Sequence, residues 1–238
     1  MIKISGLSKN FLNAGRKVQI FQDFNLELMK NELLVIFGPS GCGKSTLLNI
    51  IGGTEQYTEG VVKGLNNNKS IGYISQRNSL LPWLTVIDNI AFGLKLQGVN
   101  KIFRQKKALE LLKEMGLENY SDFYPHELSG GLAQIISFAR SLVCKAEFML
   151  MDEPFSSLDF LVRNQLQDII LNIRKKRNLS IIFITHNADE AIYLGDRIIA
   201  LSSDKPTSIL KEFSTININD KETDDFYKVR RELLACYI

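Results

Sequence analysis

Leu33-Leu34-Val35-Ile36-Phe37 runs directly into Gly38-Pro39-Ser40-Gly41-Cys42-Gly43-Lys44-Ser45-Thr46, and Leu47, Leu48, Ile50 and Ile51 follow. The apolar run reads as a buried strand, and the later apolar positions read as the packed face of a helix. Between them, Gly38 to Ser45 satisfy G-x-x-x-x-G-K-[ST]. Glycines let the backbone turn so that several N–H groups converge, a nest for phosphate oxygens. A helix opening at Lys44 adds its positive end to the same place. The Lys44 ammonium can then reach β- and γ-phosphates, and the Ser45 hydroxyl suits Mg²⁺. The stretch predicts a nucleoside triphosphate site. A Gly-rich turn that binds nothing is the alternative, and the strand–loop–helix context weighs against it.

The bulk of the chain fits that prediction. Its 238 residues are enough for a substantial core in one or two domains. The formal net charge of +3 is no footprint for nucleic acid, which calls for a strong excess of Lys and Arg. No apolar run approaches the ~18 residues of a membrane span. The start, Met1-Ile2-Lys3-Ile4-Ser5-Gly6, lacks the apolar centre of a signal peptide, so the expected location is the cytosol. Cys42, Cys144 and Cys236 are widely spaced and read as reduced thiols.

Taken in order, residues 2–5 and 18–28 alternate apolar with polar and predict antiparallel strands. Asn13, Gly15 and Lys17 mark a loop between them, with Phe11 at its entrance. An aromatic there can stack on an adenine ring, or it can simply pack. Residues 53–70, with Gly60, Gly64 and Asn66-Asn67-Asn68, read as a hairpin. Ile71 to Ser75 is a short strand ending at Gln76. The texture then becomes helical to about residue 145, with helices at Val86 to Leu96 and from an Asn100 cap to about Met115, closed by Gly116. Strands return at Phe148 to Met151, Ile181 to Thr185 and Arg197 to Leu201. The intervening helices are expected at 159–177 and 187–194, and a terminal helix at 226–235. Strands alternating with helices predict a mainly parallel sheet with reactive residues at strand C-termini. Gln76, Asp152, Glu153 and His186 all fall at such ends.

Asp152 closes an apolar strand, as a Mg²⁺-binding carboxylate should, because Mg²⁺ takes few protein ligands besides water and phosphate oxygens. Glu153 comes next, points differently, and suits a general base or water positioner. Solvated loop acids are the alternative. His186 is one of two histidines. It can hydrogen-bond a γ-phosphate or an attacking water, although a lone histidine is more often packing. Gln76 alone is equally open, and His126, beside Pro125, reads as structural. Leu128-Ser129-Gly130-Gly131 precedes an apolar helix from about Leu132 to Val143. A hydroxyl, free N–H groups and a helix N-terminus make it a second anion site. One nucleotide in one subunit does not need two, but a head-to-tail pair of subunits does.

The series Gly38–Thr46, Gln76, Leu128–Gly131, Met149–Pro154, Ser156-Ser157-Leu158-Asp159 and His186 resembles, in order and over residues 2 to 210, the ATPase subunits of ABC transporters. The resemblance implies an α/β P-loop NTPase core with a mainly parallel sheet, N-terminal antiparallel strands and an inserted α-helical subdomain. A single ATPase domain, 1–238, would divide into a core (1–76 and 146–213), a helical subdomain (77–145) and a tail (214–238). It implies that Phe11 stacks on adenine, that Gln76 senses Mg²⁺ and the permease, and that His186 is the switch histidine. Lys44 and Glu153 would act in catalysis, and Ser45, Gln76 and Asp152 would hold Mg²⁺. Ser129, Gly130, Gly131 and Asp159 would serve the ATP of a second subunit, a homodimer being the expected pairing. Leu80-Leu81-Pro82-Trp83-Leu84-Thr85-Val86, Asp88-Asn89-Ile90 and Met151 to Phe155 look like the nitrate/sulfonate/taurine-type importer ATPases. There the first stretch lies near the groove for the permease coupling helix. On its own it reads equally as core or as partner surface.

The resemblance implies ATP with Mg²⁺, a membrane permease, an extracytoplasmic solute-binding protein and a place at the cytoplasmic face of the membrane. Two positions depart from it. Family members usually continue Leu-Ser-Gly-Gly with Gln and place Arg three residues later, where Leu132 and Ile135 stand here. That predicts weaker contact with the partner's nucleotide and slower turnover. A soluble ABC ATPase and a weakly catalytic partner in a heterodimer remain rival readings. A P-loop kinase does not fit, because a kinase needs an acceptor pocket where this chain offers a second phosphate clamp.

Overall fold

The computed structural model describes residues 1–13, 16–64, 71–76, 79–156, 158–216, 218 and 221–237. Expectations resting on Gly15, Asn66 to Asn68 and Ser157 lie outside them. The chain forms two units, residues 1–68 with 180–238, and residues 69–179.

The first unit holds two sheets. Strands β1 (Ile2–Asn13) and β2 (Arg16–Leu28) pair antiparallel, with Ile2 opposite Leu28 and Phe11 opposite Val18. Both strands run further than their alternation suggested, so Phe11 and Lys17 lie within strands and not in a loop. β3 (Leu33–Phe37) belongs to the other sheet and has every residue buried. So does β7 (Ser180–Thr185). Strands buried on both faces read as unbroken apolar runs. Each buried Leu, Val, Ile or Phe contributes about 1.5–3 kcal/mol relative to exposure. Beside β3 lies β8 (Arg197–Leu201), parallel to it, and β9 (Ile209–Ser214) is antiparallel at the edge. The order in this unit is β7-β3-β8-β9. β9 was not expected from sequence: of its six residues only Phe213 is buried, so no alternation shows.

β4 (Glu59–Lys63) corrects the expected 53–70 hairpin. It joins the first sheet beside β1, pairing Lys3 with Lys63. Helices α1 (Lys44–Ile51), α6 (Ala188–Leu194) and α7 (Asp224–Ala235) complete the unit. α7 packs on α6, and Arg230 Nε meets Asp189 Oδ1 at 2.6 Å. Beyond it, the Tyr237 hydroxyl donates to the carbonyl oxygens of Leu201 at 2.9 Å and Phe37 at 3.3 Å. The segment after α7 is thus fixed to the ends of β3 and β8, and β3 runs directly into Gly38.

In the second unit, β5 (Ile71–Ile74) and β6 (Phe148–Asp152) pair in parallel, Ile74 beside Met151. The helices are α2 (Val86–Leu96), α3 (Lys101–Glu114), α4 (Gly130–Leu142) and α5 (Phe160–Arg177). α4 touches α2, α3, α5 and β5. It is accordingly buried almost all round, from Ala133 through Ala139 and again at Leu142. Asn100 caps α3 as expected, accepting from Phe103 N at 2.9 Å, and Gly116 follows with φ 70°. Phe103, although apolar, is 49% exposed on α3.

Two packing details carry measurable weight. A Cβ at Gly131 would collide with Cγ1 of Val162, so glycine is what lets α4 approach α5. Gly131→Ala should cost about 1–3 kcal/mol, the usual penalty for overpacking. Urea unfolding should show most of that loss recovered in the double variant with Val162→Ala. The second detail is Asn89, fully buried on α2. Its Nδ2 donates to the carbonyls of Leu81, Leu84 and Thr85 at 3.1, 2.9 and 3.1 Å, and its Oδ1 accepts from Leu81 N at 2.8 Å. Asn89→Ala strands these groups and should cost about 2–3 kcal/mol. Limited proteolysis should then cut first within residues 80–84; an unchanged pattern would mean that other contacts hold the loop.

Candidate functional site

Among the described residues, six of the seven α-helices close their first turn with a side chain. Thr85, Asn100, Ser129, Asp159, Asn187 and Thr223 each accept a first-turn N–H, but Gly43, before α1, does not. Gly43 has no side chain to offer α1, and Gly41 and Gly43 have φ 81° and 105°. Positive φ is open to glycine at little cost. Lys44, 5% exposed, turns its Nζ onto the carbonyls of Gly38 at 2.8 Å and Pro39 at 2.9 Å. Ser40, Gly41 and Ser45 are exposed, Pro39, Gly43 and Thr46 are half-buried, and Gly38 is buried. Cys42 is 1% exposed, and burial pushes its thiol pKa up despite the opposing charge of Lys44. It is a packing thiol, and none of the three cysteines forms a disulfide.

Phe37 pairs with Thr185 across β3 and β7, so Gly38 and His186 both leave the C-terminal ends of neighbouring parallel strands. His186 is exposed on a turn built by its neighbours. The Thr185 hydroxyl donates to Glu190 Oε2 at 2.6 Å and accepts from Asn187 N at 3.0 Å. Asn187 Oδ1 takes the N–H groups of Asp189 and Glu190 at 2.9 and 3.2 Å. His186 thus projects from a fixed backbone.

The second unit repeats the arrangement. Because Ile74 lies beside Met151, Gln76 and the Asp152–Glu153 pair follow adjacent parallel strand ends. Gln76 is exposed and its Nε2 donates to Ser156 Oγ at 3.2 Å. Asp152 is half-buried at the end of β6. Burial first, and the Asp152 charge second, push the Tyr73 hydroxyl pKa up to about 12. Glu153 has φ 43°, left-handed backbone that a residue before proline rarely adopts. Such conformations cost about 1–3 kcal/mol and gather at functional sites. Here it turns the chain sharply after the strand, and the Ser156 and Leu158 amides close successive turns on Glu153 O and Phe155 O.

Ser129 Oγ accepts from Leu132 N at 3.3 Å, and Asp159 Oδ1 from Val162 N at 3.0 Å. Both side chains expected to reach a second subunit's nucleotide therefore cap helices within this chain. A Cβ at Gly130 would meet only Leu158 Cδ2, at an ordinary 3.9 Å, while Gly131 lies against Val162. Leu132 is half-buried, and Ile135, 6% exposed, lines a small apolar cavity with Ile74, Phe138, Phe155 and Ile170. Phe11 is 37% exposed in β1, and Lys9 Nζ stands 4.3 Å over its ring. Within Leu80 to Leu84, Leu80 is buried and Trp83 is 70% exposed, so the stretch is both core and surface.

Three side chains of α4 escaped the sequence reading. Gln134 Nε2 donates to Ser75 O at 3.3 Å, and Ser141 Oγ to Tyr73 O at 3.4 Å. Arg140 reaches Ser79 O at 2.8 Å and Ser79 Oγ at 2.7 Å. Together they hold the chain on both sides of Gln76. The available signal was polar residues on a helix otherwise apolar all round; Asn89 on the buried face of α2 gave the same signal.

Among the described residues no cluster of three or more His, Cys, Asp or Glu could cage a metal. The donors expected to hold Mg²⁺ (the Ser45 hydroxyl, the Gln76 amide oxygen and the Asp152 carboxylate) are all oxygens. A hard cation that keeps water and phosphate ligands needs no more from the protein.

Comparison with known proteins agrees with this picture. The sequence model described as "ABC transporter" matches residues 21–156. An uncharacterized ABC transporter ATP-binding protein of Methanocaldococcus jannaschii is 40% identical over 243 residues, covering 98% of this chain and 90% of the relative. The aliphatic sulfonates import ATP-binding protein SsuB of Bacillus cereus is 38% identical over 240 residues, covering 98% and 94%. The nitrate import ATP-binding protein NrtD of Synechocystis is 37% identical over 239 residues, covering 97% and 89%. A solved structure described as the dimeric form of a bacterial ABC transporter cassette superposes with a TM-score of 0.78 at 29% identity, over 90% of this chain and 99% of that one. With a glycine-rich loop leading into α1, two pairs of polar residues at parallel strand ends and these matches, the chain belongs to the ABC transporter family and is an ATP-binding, ATP-hydrolysing subunit of the α/β P-loop NTPase fold.

Proposed function

We propose that this ATPase powers an importer for a small solute of the nitrate, sulfonate or taurine kind, as one of two copies bound to a membrane permease. The observation that carries the reading is the glycine-rich loop leading into α1, with Lys44 at its first position, in a chain 37–38% identical to import ATP-binding subunits. No helix among the described residues is long and apolar enough to cross a membrane, which fits a subunit held at the cytoplasmic face by its permease. An extracytoplasmic solute-binding protein belongs to the same reading. The exposed Trp83, on a loop tied down by Asn89, is the surface offered to the permease.

The roles follow from chemistry. The phosphate loop, Gly38 to Thr46, binds the triphosphate through its amides, and Phe11 stacks on the adenine. Ser45, Asp152 and Gln76 would hold Mg²⁺, which when bound neutralises charge on the phosphate oxygens. Glu153 orients or deprotonates the attacking water. Lys44, His186 and the partner copy's signature serine offset the charge that spreads over the γ-phosphoryl group. Ser129, Gly130, Gly131 and Asp159 would do the same for the partner's ATP. The pair closes on ATP and opens after hydrolysis, and the Gln76 segment, held by α4, passes that motion to the permease.

Two experiments test the proposal. Glu153→Gln should keep ATP binding and lower steady-state hydrolysis by about 10²–10⁴-fold; turnover near the native rate would remove Glu153 from the base role. A tagged copy recovered from gently solubilised membranes should bring a multi-span membrane protein with it. Soluble partners alone, with the chain absent from the membrane fraction, would transfer the reading to the non-transport ABC ATPases.

A further inference from the structure

The peptide joining Cys42 to Gly43 is held from behind by a residue far away in sequence. Thr207 Oγ1 donates to Cys42 O at 2.6 Å, and the pair is buried, with Thr207 2% and Cys42 1% exposed. Thr207 is itself fixed, because its N–H donates to Ile20 O at 2.7 Å. Ile20 closes the other approach: a Cβ at Gly43 would lie 2.7 Å from Ile20 Cγ2. β2, residue 207 and the loop are therefore layered, and the bond from Thr207 is the tie between them.

A trans peptide is planar, with its C=O and N–H directed to opposite sides. Fixing Cys42 O toward Thr207 therefore turns Gly43 N–H away from Thr207, to the opposite side of the loop. Local sequence does not fix that orientation. Gly43, at φ 105°, lies in a region glycine enters and leaves easily, and Gly41, at φ 81°, is equally free. A peptide between a small residue and a glycine can rotate, and rotation would aim a carbonyl where an amide is needed. A carbonyl facing phosphate oxygens repels them, so the loop's affinity depends on what suppresses this rotation.

We propose that Thr207 is a positioning residue for the nucleotide: its hydroxyl locks the Cys42–Gly43 peptide so that Gly43 N–H is directed at the triphosphate. This rests on the reading of Gly38 to Thr46 as the phosphate loop. Thr207 lies in none of the motifs, in the short connection between β8 and β9, and its role could not be read from spacing.

The test is isothermal titration of the full chain with ADP and with a non-hydrolysable ATP analogue, in Mg²⁺, well below each variant's melting temperature. Thr207→Val keeps the shape and removes the donor. It should weaken both nucleotides by about 5–30-fold, the range for losing one buried hydrogen bond. Thr207→Ser keeps the donor and should stay within about 3-fold of native. A threonine that merely stabilises the fold would lower the nucleotide-free melting temperature of the Val variant and leave its dissociation constants unchanged, and that result overturns the proposal. Equal weakening in the Ser variant overturns it too. Should Thr207→Val not fold, Thr207→Cys, a weak donor of similar size, takes its place with the same two outcomes. Lys44→Ala separates the underlying reading: full nucleotide affinity in that variant would sink the phosphate-loop assignment itself, whatever Thr207 does.

Discussion

A helix N-terminus leaves backbone N–H groups without partners inside the helix, and something must satisfy them. In this chain the N-cap side chain does so for six of the seven described α-helices, and before α1 the N-cap is a glycine with no side chain to offer. Much of the surrounding architecture is arranged around that junction. Buried β3 delivers the chain to Gly38, Lys44 turns back onto the Gly38 and Pro39 carbonyls, and Thr207 and Tyr237 take the carbonyls of Cys42, Leu201 and Phe37. The carbonyls of Gly38, Pro39 and Cys42 are thereby engaged by side-chain donors.

In the second unit, α4 connects two features that the sequence shows only as separate motifs. Its first turn carries Ser129 and the glycines of the signature, and Gln134, Arg140 and Ser141 further along hold Ser75, Ser79 and Tyr73. A displacement of α4 must therefore strain the backbone around Gln76. Rigid helices do not absorb small shifts along their length, since packed interiors transmit strain. This gives a physical route between a signature that would meet a partner's nucleotide and a glutamine segment that would meet a permease.

What the sequence revealed divides along chemical lines. The placement of Gly38 to Gly43 between β3 and α1, and of Asp152, Glu153 and His186 at strand ends, was legible because apolar runs mark where buried strands stop. Helices such as Val86–Leu96 were legible because capping and apolar period are local. β9 was not, because an edge strand with one buried residue carries no pattern. The partnering of β4 with β1 was not, because pairing is a long-range choice that local turns do not determine. Thr207, Tyr237 and the clamp from α4 act on backbone carbonyls, and a carbonyl has the same chemistry in every residue. No side-chain pattern could announce them.

The departures at the signature helix are best understood through the same packing. Ile135 stands where family members place arginine, and it is enclosed with Phe138, Phe155 and Ile170 against β5. A guanidinium at this position would either lose its water among apolar side chains or force the helix outward. An unpaired buried charge costs several kcal/mol, more than a rim contact with a partner returns. Isoleucine therefore belongs with the apolar lining around it, and the two cannot be exchanged independently. The same wall includes Pro154 and Phe155, which directly follow the strained Glu153. Apolar packing at residue 135 thus backs the turn that follows Glu153.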